Sequence, residues 1–335
     1  MKDRILKKIK ESQGDYVSGQ YLGRELGISR TAVWKHIKGL KEDGYIIESS
    51  SKKGYRLGPI PDIITPQELQ EGLDTRVIGR EIYYLPTVDS TNNYAKELAR
   101  SGCGDGTVII ADQQTQGRGR MGRSWHSADK RGIWMSIILR PPVGLGDIQI
   151  ITLAASLAVA LAVDEIFDIK VGIKWPNDIV LGGKKICGIL TEMSMEMEQV
   201  DFLVLGIGLN FKQQESDFPK EIDDRATSLG VYLKKTHNLD IGNIKRGQLI
   251  RPILSRLEDV YAKVNKGAVT DIIREWKDYS ITLGKEVYVN FRGKQYKGIA
   301  LDVDADGRLV VECEDGITRK ILSGEVSVRG ILGYT

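Results

Sequence analysis

From Ile150 to Val163 the chain is apolar except for Thr152 and Ser156, a run of 14 residues. This is shorter than the ~18–20 residues needed to span a bilayer, so it reads as the middle of a buried helix over 147–167. A helix apolar on every side must be enclosed. The strand patterns around it supply the enclosure: 81–85, 107–112, 132–140, 171–174, 179–181, 185–191 and 201–210, with a Gly182-Gly183 turn between two of them. Polar residues 89–93 precede a helix ending near Ser101, and further helices are expected over 243–264 and 269–278. The natural architecture is a mixed sheet covered by helices, with 211–230 as a polar loop. At 335 residues, 41% apolar and 28% charged, the chain has material for about two or three such domains.

The charge is unevenly placed. Residues 1–58 hold 13 Lys/Arg against 7 Asp/Glu, a balance of +6; the whole chain is +3, so the remainder carries −3. A basic block on a slightly acidic body implies one module for a polyanion and another for something else. Residues 2–12 form an amphipathic helix on Ile5, Leu6 and Ile9. Ser18 can cap a second helix over 19–26, and Ser29 a third over 30–42, stopped by Gly44. In the third helix Val33, Ile37 and Leu40 face inward, while Arg30, Thr31, Trp34, Lys35 and Lys38 face outward. Residues 45–48 and 55–57 read as strands joined by a polar turn with Lys52 and Lys53 at its tip. Helices across a short Gly27-Ile28 turn, followed by a wing, make the winged helix-turn-helix pattern. A small dimerisation module shares that outline. The coincidence of charge and exposed basic face favours DNA, with Ser18 and the third helix toward the groove and the wing lysines on phosphates. Gly58-Pro59-Ile60-Pro61-Asp62 reads as the linker beyond it.

After Leu283 the period changes to two. Strands are expected over 286–291, 295–304, 308–313, 317–322 and 325–329, with turns at Arg292-Gly293, Asp306-Gly307, Asp315-Gly316 and Ser323-Gly324. Short strands at this spacing suggest a small SH3-like barrel. The chain as a whole is α+β, divided at 1–60, 61–280 and 281–335.

The chemistry gathers in Gln116-Gly117-Arg118-Gly119-Arg120-Met121-Gly122-Arg123-Ser124-Trp125. Glycines let the backbone turn and approach a ligand, and arginines present planar forks that match phosphate and carboxylate. No carboxylate lies in the run to neutralise them, so an anion site is expected, on a loop that a bound polyanion would order. The spacing is not that of a P-loop. It does match G-x-G-x-x-G, but a strand follows where a dinucleotide fold needs a helix, and arginines fill the variable positions. The histidines His36, His126 and His237 have no partner at metal-ligand spacing. The cysteines Cys103, Cys187 and Cys313 are widely separated, without a CxxC pair, so no metal site is expected. Met1-Lys2-Asp3-Arg4 lacks an apolar signal core, and a cytoplasmic protein with reduced thiols is expected, away from any membrane. Without a nucleophile constellation, chemistry must come from positioning and charge neutralisation. Arginines, Lys185 and an acid such as Asp178 suit attack of a carboxylate on a nucleoside triphosphate.

Four segments in this order carry a resemblance: Ser90-Thr91-Asn92, the arginine–glycine run through Trp125, Lys174-Trp175-Pro176-Asn177-Asp178, and Lys185-Ile186-Cys187-Gly188-Ile189-Leu190. The chain resembles the biotin–protein ligases. With its winged helix it is similar to the bifunctional bacterial members that also repress the biotin operon. The resemblance spans essentially all of the chain and implies a class II synthetase-like central fold. It implies that biotin and ATP, with Mg2+, give biotinyl-5′-AMP and pyrophosphate, and that biotin then passes to a lysine of the biotin carboxyl carrier protein of acetyl-CoA carboxylase. It places Ser90, Thr91, Asn92, Gln114 (or Gln113), Arg118, Gly119, Arg120 and Lys185 around biotin and the acyl phosphate. Lys185, Arg118, Arg120 and Asp178 then form the catalytic set, and Arg123, Trp125 and Asn210 contact ATP or the adenylate. It further implies that biotinyl-5′-AMP acts as corepressor of a homodimer on operator DNA. A ligand-sensing repressor without catalysis, and a ligase for lipoate or octanoate, are the alternatives.

Overall fold

The computed structural model describes residues 1–141, 148–196, 199–291, 293–322 and 328–330. It divides into two compact units, Met1–Glu71 and Gly72–Thr335.

In the first unit α1 (Lys2–Glu11), α2 (Gly19–Leu26), α3 (Arg30–Glu42) and the hairpin β1 (Ile47–Ser50) with β2 (Gly54–Leu57) close on one core. Ile5, Ile9, Leu22, Val33, Ile37 and Leu40 form its centre. Ser18 Oγ accepts the Tyr21 N–H at 3.0 Å and Ser29 Oγ the Ala32 N–H at 3.1 Å, so both expected caps form. Gly27 ends α2 at φ +67, the left-handed conformation that glycine adopts without a steric cost. Tyr45, expected as the first residue of the wing's strand, lies two residues before β1 and is buried. Its hydroxyl donates to Glu68 Oε1 at 2.8 Å and lies 3.1 Å from Thr65 Oγ1. Lys10 Nζ reaches the same Glu68 oxygen at 2.6 Å, and Leu69 of α4 (Pro66–Gln70) is fully buried. These contacts gather α4 into the first unit, so the compact boundary falls after Glu71, beyond the expected break at 60.

The second unit is built on a mixed sheet. In chain order its strands are β3 (Ile82–Val88), β4 (Val108–Gln114), β5 (Gly132–Leu139), β6 (Gly172–Lys174), β7 (Asp178–Leu181), β8 (Lys184–Glu196) and β9 (Gln199–Asn210). Among the described residues the order across the sheet is β3-β4-β5-β9-β8-β7-β6. Only β3 and β4 run parallel there; the other pairs are antiparallel. One face carries α5 (Thr91–Arg100), whose Ala95 and Ala99 pack with Ile109, Ile138 and Val204. The apolar run lies in α6 (Ile148–Phe167), packed with α8 (Arg246–Asn265), α9 (Val269–Tyr279) and β8. The helix has 20 residues, so by length and composition it is long enough to cross a membrane, contrary to the shorter count from the apolar run; 78% of its most apolar window is buried inside the fold. The two polar residues inside the apolar run are paired. Thr152 Oγ1 is 2.8 Å from Thr191 Oγ1, and Trp276 Nε1 donates to Ser156 Oγ at 3.0 Å. Enclosure, rather than length, makes it a core helix.

Residues 211–230 were expected as loop throughout, but α7 (Leu229–His237) begins inside them, capped by Ser228 Oγ at 3.1 Å from the Val231 N–H. With only Leu229 and Leu233 buried, its apolar period is too short to stand out. At the C-terminal end β10 (Glu286–Phe291), β11 (Lys294–Val303), β12 (Leu309–Cys313), β13 (Thr318–Ile321) and β14 (Val328–Gly330) make an antiparallel sheet in the order β13-β12-β11-β10-β14. Asp147, Arg292 and Ser323-Gly324-Glu325, which entered the expected boundaries and turns, lie outside the described residues.

Candidate active site

The site starts from missing side chains. Gly188 on β8 stands opposite Gly208 on β9, Gly208 opposite Trp134 on β5, and Gly206 opposite Ser136. Residues opposite one another across a ladder share a face, so these glycines leave a shallow trough in the sheet. Its tightness is measurable. A Cβ on Gly208 would lie 2.7 Å from Cε2 and Nε1 of Trp125. On Gly188 it would lie 2.9 Å from Lys185 Nζ and from Trp125 Cζ3, and on Gly206 2.2 Å from Asn92 Oδ1. The indole, the ammonium and the amide thus occupy space that side chains would take. None of the three glycines was singled out as a site residue. The signal was the Gly206-Ile207-Gly208 spacing inside an otherwise apolar strand.

The start of α5 forms one wall. Ser90 occupies the N-cap position and is buried, yet its side chain makes no cap hydrogen bond. Gln114, at the end of β4, does that work. Its Oε1 accepts from Thr91 N–H at 2.9 Å and Thr91 Oγ1 at 3.0 Å, and its Nε2 donates to Ser127 Oγ at 2.9 Å. Ser136 Oγ lies 2.7 Å from Thr91 Oγ1 and 2.6 Å from Asn92 Oδ1. Asn92 Nδ2 donates to Glu192 Oε2 at 2.8 Å, and Lys96 Nζ to Glu192 Oε1 at 2.9 Å. Burial raises the Glu192 pKa, but these two donors outweigh it and hold the carboxyl below its ordinary range. Ser127, Ser136 and Glu192 were not foreseen, because nothing local marks them.

The arginine–glycine run is folded as a narrow hairpin in this structure. Gly119 N–H donates to Arg123 O at 2.7 Å and Trp125 N–H to Gly117 O at 2.8 Å. Met121 and Gly122 turn its tip at φ +57 and φ +73. Arg118 and Arg123 are exposed and Arg120 is half-buried. Among the described residues none of the three forms an ion pair; Arg120 Nη1 donates instead to the neutral Asn177 Oδ1 at 2.9 Å. Burial, with Arg123 nearby, lowers the Arg120 pKa from its ordinary value, against the pull of Asp178. Lys185 Nζ sits 2.5 Å from Asp178 Oδ1 and 5.2 Å from the Trp125 ring centroid. Trp125 Nε1 is buried with no hydrogen-bond partner, and its ring meets Trp134 edge-on at 6.4 Å. An orphaned buried donor costs ~1–3 kcal/mol unless something accepts from it.

Asn210 differs from the rest of the expected set. It is buried, its Nδ2 donates to Thr227 O at 3.0 Å, and its Oδ1 accepts from Gln213 Nε2 at 2.9 Å. It shares the face of β9 that carries Gly206 and Gly208, and its amide holds the segment after the strand. Cys187 is fully buried, and burial pushes its thiol pKa up, so it is no thiolate nucleophile. In the first unit Arg30, Thr31, Trp34, Lys35 and Lys38 line the outer side of α3, with Trp34 57% exposed. Lys52 and Lys53 lie exposed between β1 and β2, and Ser18 is spent as the cap of α2.

Comparison with known proteins agrees with this geometry. Residues 84–210 match the biotin/lipoate A/B protein ligase family, residues 2–56 a helix-turn-helix domain, and residues 282–329 the biotin protein ligase C-terminal domain. The bifunctional ligase/repressor BirA of Bacillus subtilis is 39% identical over 324 residues, covering 97% of each chain. That of Escherichia coli is 27% identical over 95% of this chain and 94% of its own. The biotin protein ligase of Aquifex aeolicus, solved in complex with biotin and ATP, superposes with a TM-score of 0.63 at 31% identity, covering 75% of this chain and 99% of that one. With identity of this degree along nearly the full length of both chains, the chain belongs to the family of bifunctional biotin ligases and repressors.

Proposed function

We infer that the second unit joins biotin to ATP as biotinyl-5′-AMP, releasing pyrophosphate, and then passes biotin to a lysine of the biotin carboxyl carrier protein. The observation that carries this reading is the trough. Lys185 and Trp125 stand over a glycine floor, Arg120 is held beside them on Asn177, and among the described residues none of the three loop arginines forms an ion pair. In the first step a biotin carboxylate oxygen attacks the α-phosphorus and the bond to pyrophosphate breaks. Both partners are anions, so the barrier falls when fixed cations neutralise them in place. Lys185 and Arg120 provide that charge, Arg118 and Arg123 close over the product, and Trp125 offers a flat face and a free donor. Thr91, Asn92 and Gln114, already locked by the network at the start of α5, hold the uncharged end of the substrate. In the second step the carrier's amine attacks the acyl carbon and AMP leaves; Asp178, beside Lys185, orients that amine. A magnesium ion carried by the triphosphate needs only one or two carboxylates beside the phosphates, a role Asp178 fits, and it supplies further charge neutralisation there.

The first unit carries the repressor function. The N-terminal part of α3 reads base edges in the major groove, with Trp34 flanked by Arg30, Thr31, Lys35 and Lys38, and the wing lysines hold phosphates. Beyond the reach of β7, β8 continues to Glu196 and, among the described residues, pairs there with β9 alone, with Met193 and Met195 exposed. This open edge supports a homodimer formed when the adenylate is bound, as an operator with two half-sites requires. Incubation with ATP, labelled biotin and apo carrier domain tests the reading. Label on the carrier lysine is expected. Bound adenylate without transfer would make the protein a sensor, and transfer of lipoate or octanoate in place of biotin would make it a related ligase.

A further inference from the structure

We propose that Trp175 is a positioning residue through which the small C-terminal sheet sets Asn177 and Asp178 against Arg120 and Lys185; the proposal rests on the ligase reading above. Trp175 lies between β6 and β7 and is 2% exposed. Both of its N–H groups are held from the far end of the chain. The backbone N–H donates to Thr282 Oγ1 at 2.9 Å and the indole Nε1–H to Gly307 O at 3.1 Å. The strand leading into it is stitched to the same region, since Ile281 N–H donates to Ile173 O at 3.0 Å.

The anchor is rigid. Gly307, at φ +76, sits in the turn joining β11 to β12, where Asp304 Oδ1 accepts the N–H groups of Asp306 and Arg308 at 3.0 Å each. A Cβ on Gly307 would meet Gln149 Cγ, Ile150 Cδ1 and Leu153 Cδ1 of α6 at 2.9–3.1 Å, so the turn is wedged against the core helix. On the other side of Trp175, Asn177 accepts from Arg120 at 2.9 Å and donates from Nδ2 to Ile189 O at 2.7 Å, and Asp178 lies 2.5 Å from Lys185. The catalytic groups therefore stand at one end of a short stiff segment whose other end is clamped by residues more than a hundred positions later. Trp175 touches no reacting atom in this arrangement. It acts by fixing the groups that do, and a misplacement of about 1 Å at such groups can cost on the order of 10²-fold in rate.

The test compares Trp175→Phe, which keeps a smaller aromatic ring and removes the indole donor, with Thr282→Val, which removes the acceptor of the backbone N–H at similar volume. Both are made in the full chain and assayed for biotinyl-adenylate formation at saturating ATP. Each should lower kcat by about 3- to 30-fold and leave the KM for biotin near that of the unmodified protein, because no substrate contact is lost. Each should add a smaller loss when combined with Asn177→Ala than it causes alone, because that variant already cuts the link to Arg120 and leaves only the Asp178–Lys185 pair to be displaced. Thermal midpoints identify the folded variants, and should Trp175→Phe not fold, Thr282→Val carries the test alone. An unchanged kcat, or an equal loss with and without Asn177, overturns the proposal while leaving the ligase reading intact. An unmodified protein that forms no adenylate overturns the ligase reading itself.

Discussion

Replacing Gly208 by Ala adds one methyl group to the floor of the trough, and the geometry sets the size of the effect. The new Cβ would lie 2.7 Å from Cε2 and Nε1 of Trp125 and 3.1 Å from Cζ2. Carbon atoms pack at about 3.5–4.0 Å, so the indole must retreat by roughly 1 Å. It has little freedom to do so. Its backbone N–H is fixed to Gly117 O at 2.8 Å, and a Cβ on Gly117 would already meet Trp125 O at 2.5 Å. Trp134 stands edge-on to it, and Lys185 lies over its face. Overpacking of this kind costs ~1–3 kcal/mol of stability. The larger effect falls on catalysis. A displacement of about 1 Å in a positioned group costs on the order of 10²-fold, or ~2.7 kcal/mol of barrier. Pyrophosphate release measured against ATP and biotin concentration should show kcat/KM for ATP reduced by about that factor, in a protein whose thermal midpoint has fallen by only a few degrees. A folded Gly208→Ala variant with kcat/KM within about twofold of the parent would refute the assignment of Trp125 and the glycine floor to the nucleotide site.

Further expectations follow from the same contacts. Arg120→Gly removes the guanidinium held by Asn177 and should speed release of the adenylate, seen as increased labelling of bystander lysines; unchanged release would reject its role. Because Glu192 is held below its ordinary pKa, its contribution to stability is present above the ordinary carboxylate range and is lost as pH falls through its depressed value. Glu192→Gln should therefore be less stable than the parent at neutral pH, with the gap in thermal midpoint closing on acidification; a gap independent of pH would contradict this. Lys52→Ala and Lys53→Ala should each reduce the slope of log affinity for operator DNA against log salt by about one while leaving base preference intact. A slope equal to the parent's would remove the wing from the interface. Deleting residues 1–71 should abolish DNA binding and retain ligation, whereas deleting only 1–60 removes Lys10 and Tyr45, partners of Glu68, leaves α4 cut from its unit, and should yield a less soluble protein. Equal behaviour of the two deletions would move the boundary back to 60.

Much of this protein follows from local rules that a linear pattern records. The i, i+4, i+7 spacing of Val33, Ile37 and Leu40, the caps Ser18 and Ser29, the strand periods and the enclosed helix all express short-range geometry, and each reappears in the structure. The arginine–glycine run declared an anion site because like charges without a counter-ion need a ligand. Local rules fail where the deciding partner is far along the chain. Arg246 resembles any other arginine in sequence, yet it is fully buried against Asp112 at 2.8 Å. Tyr45 has the composition of a strand residue, but Thr65 and Glu68 draw it inward.

The sequence alone settled which residues are able to carry charge to a phosphate, because side-chain chemistry belongs to each residue. It could not say that Asn210 spends both ends of its amide on Thr227 and Gln213, or that Gly188 and Gly208 stand opposite one another under Trp125. Those are consequences of register between distant strands. A shift of one residue turns every side chain to the other face, so only the assembled sheet decides what lines the trough.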